Sequence, residues 1–231
     1  MARQKEFDKS IIEKKESVFA GIAEIVFVIF VAVLAVVILR TQASMARGVD
    51  GASMQPAYNS VESGYSGRGI YDTVRITKFS QIRRRDIVTF ESNLVSHTDA
   101  NGKTHYKILI KRVIAVGGDY LEFKDSGQGY LEVWLNGELL DEPYLNTDAN
   151  GKPLFSSSSI KGSYPLDERI DVPKLCYFVM GDNRDNSTDS RYHSVGIIPF
   201  RKIEGKVYLD VRAGESYMGA LWNKFFGGND G

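Results

Sequence analysis

The chain of 231 residues has a single cysteine, Cys176, which excludes an internal disulfide framework and any multi-cysteine metal centre. It has only three histidines (His97, His105 and His193) with no HExxH spacing, so neither a catalytic zinc nor another metal is expected. It has no charge excess of either sign, since 29 Lys and Arg face 29 Asp and Glu. A nucleic-acid binder would carry a basic surplus, so that class of partner is set aside. Proline is scarce at 6 against 22 glycines, which favours turns between strands over Pro-rich linkers. An apolar share of 43% with 25% charged residues belongs to a folded chain, not a disordered one.

The apolar residues that are present are unevenly spread. Residues 18–39 form a run of 22 broken only by Glu24, and Arg40 ends it. A bilayer-spanning helix needs about 20 such residues. Arg3, Lys5, Lys9, Lys14 and Lys15 precede the run, against Arg40 and Arg47 after it. The positive-inside bias then puts the N-terminus in the cytoplasm and the remainder outside. A cleaved signal peptide is the alternative, favoured by the basic start and the small residues around Ala43 and Ala46. Against it, the run is long for the apolar part of such a peptide. A helix inside a soluble core fits less well, because nothing else in the chain is apolar enough to surround it. The expected organisation is a cytoplasmic segment 1–17, a single span 18–39 and an extracytoplasmic β-rich domain 40–231, in the plasma membrane.

From residue 48 onward the 3.6-residue apolar period is missing until the C-terminus. Short β-branched and aromatic runs predict strands at 73–77, 87–91, 106–116, 120–124, 131–135, 177–180 and 204–211. Gly117-Gly118-Asp119 and Asn136-Gly137 mark turns. Residues 148–163, rich in Ser, Gly and Lys, read as an exposed loop. Cys176, just before an apolar run, reads as a buried packing residue. The fold class is therefore mainly β, with one N-terminal transmembrane helix. Residues 48–231 hold 22 basic and 24 acidic side chains, so charge alone does not hold this part to anionic lipid. The aromatic tail 217–226 reads either as an interfacial helix or as a final helix packed on the sheet.

With no metal set and no Cys–His pattern of known spacing, a nucleophile is sought among Ser, Thr and Lys. Ser53 stands out in Gly51-Ala52-Ser53-Met54-Gln55-Pro56, where glycine and proline flank a fixed turn. A serine needs a base. Lys111 lies in the run Ile108-Leu109-Ile110-Lys111-Arg112-Val113-Ile114. Pointed inward, it would be desolvated and shifted towards the neutral amine that can take a hydroxyl proton. On an edge strand it would instead be an ordinary solvated lysine. Strand alternation sends Lys111 and Arg112 to opposite faces, so at most one is expected in a site. A third signal is the polar stretch from Gly181-Asp182-Asn183-Arg184 through Ser187, Asp189, Ser190 and Arg191. It lacks the glycine and terminal glutamate of an EF-hand loop, and a self-bonded polar turn remains open.

In that order, these segments resemble type I signal peptidases, membrane-bound Ser–Lys endopeptidases that remove signal peptides. Asp86-Ile87-Val88-Thr89-Phe90, and Asn136-Gly137 followed by Asp141-Glu142-Pro143-Tyr144, extend the likeness, which spans roughly residues 18 to 211. The resemblance implies that Ser53 attacks the scissile carbonyl and Lys111 is its base. Ser187 would bond and orient the Lys111 amine. Met54 and Pro56 would shape the substrate side of the turn. Arg112, Asp182, Asn183, Arg184, Asp189 and Arg191 would hold the site's architecture. It implies secretory preproteins and membrane lipid as partners, cleavage after a small residue, and no cofactor. The remaining alternatives are a tethered peptide-binding β-domain that does not cut, and a Ser–Lys protease with another substrate.

Four departures stand out. Ala57-Tyr58 stands where Thr-Leu is usual, Arg85 where Gly is usual, and Gly117 where Pro is usual. Gly51 replaces a serine that in some members assists the oxyanion hole, leaving the Ser53 N–H as the donor. The stretch between Tyr58 and Asp72 is also longer than usual.

Overall fold

The computed structural model describes residues 19–37, 44–60, 72–78, 80–160, 164–212 and 214–227. The expected cytoplasmic segment 1–17 lies outside them. Two units are described separately, one ending at Ser44 and the other running from Met45. The first holds a helix, α1, over Phe19–Val37, with a mean hydropathy of 2.9 and none of its apolar surface buried within the chain. Its length and composition suit a membrane span.

The second unit is mainly β. Its strands are β1 (Ser44–Gly48), β2 (Thr73–Thr77), β3 (Ile87–Thr98), β4 (Thr104–Val116), β5 (Tyr120–Asp125) and β6 (Leu131–Leu135). They continue as β7 (Glu138–Leu139), β8 (Ile170–Asp171), β9 (Cys176–Met180), β10 (Ile198–Pro199) and β11 (Ile203–Val211), and a helix, α2 (Tyr217–Phe226), follows. Seven strands form one sheet in the order β1-β2-β11-β3-β4-β9-β10, and β7-β6-β5-β8 form a smaller one.

Every predicted strand is present. The four missed outright are β1 and the two-residue strands β7, β8 and β10, which are too short to show a period of two. β3 runs seven residues past the predicted end at Glu91, because only Ser92 and Leu94 of that extension turn inward and the rest is exposed, which leaves no apolar alternation to read. Cross-strand pairing holds it instead. His97 stacks on His105 at 4.6 Å, and the Asp99 carboxylate accepts from the Asn101 and Lys103 amides at the hairpin tip. At Asn136-Gly137 both residues have positive φ, as the predicted tight hairpin turn requires.

Three apolar clusters sit on these sheets. One joins β5 and β6 to β9 through Leu121, Phe123, Val133 and Phe178. A second packs Val49, Met54, Tyr58, Val74, Ile76 and Ile110 together. The third holds Val88, Phe90, Val113 and Val179. The reading of 148–163 as an exposed loop is corrected over its described part, 148–160. Phe155 is buried in the first cluster, edge-on to Phe123 at 6.0 Å, and a short 3-10 helix, Ser157–Ile160, buries Ser159 and Ile160. Serine content hides this anchoring, because those hydroxyls are spent on one carboxylate. Asp185 accepts from the Ser156 amide at 2.8 Å and from the Ser156 and Ser159 hydroxyls. Cys176 is half-buried at the start of β9, not fully enclosed.

Two departures in sequence acquire reasons. Arg85 has φ +71°, the left-handed region that glycine enters without strain, so its backbone does what the usual glycine would do. Its amide donates to Val113 at 2.7 Å, and its guanidinium reaches the Asp141 carbonyl at 2.8 Å. At Gly117 a Cβ would come within 2.8 Å of the Leu175 nitrogen and the Pro173 carbonyl oxygen, so neither proline nor any other side chain fits. Gly117→Ala is expected to destabilise the domain by about 1–3 kcal/mol, as overpacking does. A urea unfolding midpoint measures it.

Candidate active site

The turn that carries Ser53 follows β1 and is held from three sides. From below, Met54 is 1% exposed and packs in the cluster with Val49, Tyr58 and Ile110. Its side chain points inward, because an unbranched apolar side chain gains by filling the core, and it supports the turn from that side. Pro56 is exposed, and its peptide bond with Gln55 is cis. From behind, Asn59 donates its side-chain amide to the Val49 and Gly51 carbonyls at 2.8 and 2.9 Å. Asn59 also exchanges two bonds with Asp72: its amide donates to the Asp72 carboxylate, and the Asp72 amide donates to its Oδ1. This pair staples the ends of the longer-than-usual stretch, whose residues 61–71 lie outside the described ones. Tyr58 adds a 2.6 Å bond from its hydroxyl to Asp210 on β11.

From above comes the segment 181–191. The Asn183 amide donates to the Ser53 carbonyl at 3.2 Å, and its side chain donates to the Ala52 carbonyl at 3.1 Å. Gly181 is the point of closest approach. A Cβ there would collide with both the Ser53 carbonyl oxygen and the Ser187 hydroxyl. The segment is folded around Asp189, whose carboxylate accepts from the Gly181 amide at 2.9 Å and the Ser187 hydroxyl at 2.6 Å. It also pairs with Arg191 through Nε at 2.8 Å and Nη2 at 2.9 Å. Both partners are fully buried. Burial alone would raise the Asp189 pKa, yet Arg191, Ser187 and the Gly181 amide together hold it below the usual carboxylate range.

Two more ion pairs fasten the segment to its surroundings. Arg112 forks onto Asp182 at 2.8 and 2.6 Å and stacks over Tyr144. Arg184 forks onto Glu142 and donates to the Gly181 carbonyl at 3.2 Å.

Against this turn lies Lys111 on β4. Its Nζ donates to the Ser53 Oγ at 2.7 Å and to the Ile110 carbonyl at 2.8 Å. The residue is 2% exposed. Desolvation pulls its pKa down from the ordinary lysine value to about 8, with Arg191 helping and the Asp189 and Asp182 charges opposing. The structure therefore brings Ser53, Lys111, Asn183, Gly181 and Ser187 to one place. Arg112 reaches the same segment, although from the other side of its strand. One expected contact is absent: among the described residues, Ser187 makes no hydrogen bond to the Lys111 amine. Its hydroxyl proton goes to the anionic Asp189, the stronger acceptor.

A groove of about 140 Å³ opens beside this pair, edged by Arg47, Asp50, Ser53, Thr89 and residues 108–111. β4 pairs with β9 only from Arg112 onward, so its edge at 108–111 carries no strand among the described residues. Arg47 is neutralised by Glu204 at 2.7 Å. Thr89 is buried, and its hydroxyl has no partner among the described residues. No cluster of metal-ligating side chains occurs among the described residues. Sequence reasoning misses Asn59 and Asp210. It notes Tyr58 and Asp72 only as the ends of the longer stretch, without the bonds they make.

A lysine amine kept dry against a serine hydroxyl, beside an open strand edge, can serve hydrolysis of an extended peptide. Comparison with known proteins agrees with that class. A family model described as "Signal peptidase, peptidase S26" matches residues 22–211. Signal peptidase I of Bacillus caldolyticus is 34% identical over 181 residues, covering 77% of this chain and 85% of that protein. Signal peptidase I of Bacillus licheniformis is 30% identical over 192 residues, covering 83% and 87%. A crystal structure of a signal peptidase I from Enterococcus faecalis aligns with a TM-score of 0.38 at 28% identity, over 56% of this chain and 98% of that one. The chain belongs to the signal peptidase family, peptidase S26, whose members remove signal peptides from secretory preproteins.

Asp189→Asn removes the charge that Arg191 needs where neither side chain reaches solvent. It is expected to cost about 3–5 kcal/mol of stability, read as a lowered thermal or urea midpoint. Lys111→Met should leave that midpoint near the native value.

Proposed function

We propose that the chain is a membrane-anchored serine endopeptidase that cuts signal peptides from secretory preproteins with Ser53 as nucleophile and Lys111 as base. The observation that carries this reading is the 2.7 Å bond between a buried lysine amine and the Ser53 hydroxyl. The α1 helix is the single span, in a layout of cytoplasmic 1–17, span 18–39 and extracytoplasmic domain 40–231. The excess of basic residues before the span over those after it sets that orientation.

The substrate lies extended in the groove and adds a strand to the free edge of β4 at 108–111, so main-chain bonds supply affinity without regard to sequence. Specificity for a small residue before the cut is what the family likeness implies for this groove. Lys111 takes the hydroxyl proton as the Ser53 Oγ bonds to the scissile carbonyl carbon. The C–N bond then breaks, and Lys111 gives that proton to the departing amine. Water attacks the resulting ester, again losing its proton to Lys111. The ester C–O bond breaks and Lys111 returns the proton to Ser53. The Ser53 N–H makes no internal hydrogen bond among the described residues, so it is free to donate to the oxyanion.

Ser187 acts one step removed. It fills the space under Gly181 and neutralises nothing itself, but it ties Asp189 beneath the turn. Arg112, Asp182, Asn183, Arg184, Asp189 and Arg191 position the turn and do not touch substrate.

The test is cleavage of a preprotein in detergent by wild type, Ser53→Ala and Lys111→Met. Wild type is expected to cut after a small residue. Each variant should lose about 10³-fold or more in kcat/KM while unfolding at the native temperature. Activity in Lys111→Met would remove lysine from the mechanism. Only the neutral amine accepts a proton, so kcat/KM is expected to rise with pH through about 8 and level off above it. A profile already flat below pH 7 contradicts a lysine base.

A further inference from the structure

The groove beside Ser53 and Lys111 keeps its polar groups at the rim, with one exception. Arg47 is paired with Glu204, Ser53 and Lys111 bond each other, and Asp50 is exposed. Val74, Ile108 and Ile110 give the groove apolar walls. Among them stands Thr89, 2% exposed, on β3. Val88 and Phe90 on either side of it turn into the third apolar cluster, so strand alternation sends Thr89 to the opposite face, that of the groove. Its cross-strand neighbours are Ile110 on β4 and Gly205 on β11. One side chain is apolar and the other is missing, so neither can bond a hydroxyl. The Thr89 Oγ1 is accordingly buried without a hydrogen-bond partner among the described residues. Stability alone would favour valine here, which has the same shape and leaves no polar atom unpaired.

We propose that the Thr89 hydroxyl sets specificity in the groove: it bonds a serine or threonine side chain of the substrate, so that a hydroxyl-bearing residue is preferred over an apolar one of the same size. The inference rests on the reading of the groove as the substrate site of a Ser53 peptidase, and adds a chemical preference to one of size. A substrate strand laid along the edge of β4 sends alternate side chains to each face. The residue before the cut is fixed by its carbonyl at Ser53, so it and the residue two before it share a face. Their side chains are the ones that can enter the groove. The Thr89 Oγ1 can both donate and accept, which suits another hydroxyl. An alanine leaves it as it was, and a valine covers it with methyl groups and keeps it unpaired. A serine or threonine completes it. A buried polar group that only a hydroxyl can satisfy discriminates more strongly than an apolar pocket discriminates by size.

Threonine and valine have the same shape on both sides of this contact, which allows a double-mutant cycle. A preprotein carries alanine, serine, threonine or valine at the first or the third residue before the cut. The full chain and its Thr89→Val variant are compared in detergent by kcat/KM. At one of the two positions the native chain is expected to cut the hydroxyl forms about tenfold better than their apolar counterparts, serine against alanine and threonine against valine. In Thr89→Val that ratio should fall to one or below. The urea midpoint of Thr89→Val should equal or exceed the native one, since the change removes an unpaired hydroxyl. A hydroxyl with only a structural role would lower the midpoint and leave the substrate ratio where it was, which overturns the inference. If Thr89→Val fails to fold, Thr89→Ala takes its place, and the native ratio still decides. A native chain that cuts hydroxyl and apolar forms alike at both positions overturns the inference and leaves the peptidase reading standing. An equal loss for every substrate in Thr89→Val assigns the hydroxyl to the substrate backbone and also overturns it. A native chain that cuts none of the forms overturns both readings.

Discussion

The Asp189 carboxylate is the interaction on which the rest of the site depends. It sits in a place closed to water and accepts from the Gly181 and Arg191 amides, from the Ser187 hydroxyl and from the Arg191 fork. A charge in such a place is tolerable only when almost every lone pair is used. That requirement bends residues 181–191 back on themselves, and the bend delivers Asn183 to the carbonyls of Ala52 and Ser53. The same bend lays Asp182 against Arg112, the residue next to Lys111 on β4. The position of a serine and the dryness of a lysine therefore both follow from how one buried anion is satisfied.

The electrostatics around Lys111 are a compromise. Two carboxylates near it would stabilise an ammonium, which is the wrong form for a base. Each is already matched to an arginine, so the field that reaches the amine is largely cancelled. Desolvation then decides the outcome, and the amine settles near pH 8. Lone acids at those positions would hold the proton on the lysine, and apolar residues would leave the segment without its fold. The paired arrangement avoids both.

Much of this architecture is legible in the amino-acid sequence. The strands from β2 to β6, β9 and β11 follow from alternating apolar runs, and the segments around Ser53, Lys111 and Asp182 lie in an order that resembles one family. Contacts between distant parts of the chain leave no local trace. Tyr58 meets Asp210 across 152 residues, and nothing near either position signals the other. Phe155 is hidden in a serine-rich stretch because one buried aromatic does not make a period. The neighbourhood of Met54 points to the substrate, and its own apolar surface turns it to the core side of the turn. The resemblance pairs Ser187 with the lysine, but a sequence does not reveal which of two nearby acceptors a hydroxyl prefers. A negative carboxylate outcompetes an amine for that proton.

The Asn59–Asp72 staple separates two properties that a loop usually couples. Residues 59 and 72 are clasped by two reciprocal bonds, each from one residue's backbone amide to the other's side chain. Closing a longer loop costs only about 0.6 kcal/mol for each doubling. Length and composition in that segment can therefore change while the turn a few residues upstream keeps its geometry. It is a place where new surface can be grafted next to the Ser53 turn without reshaping it.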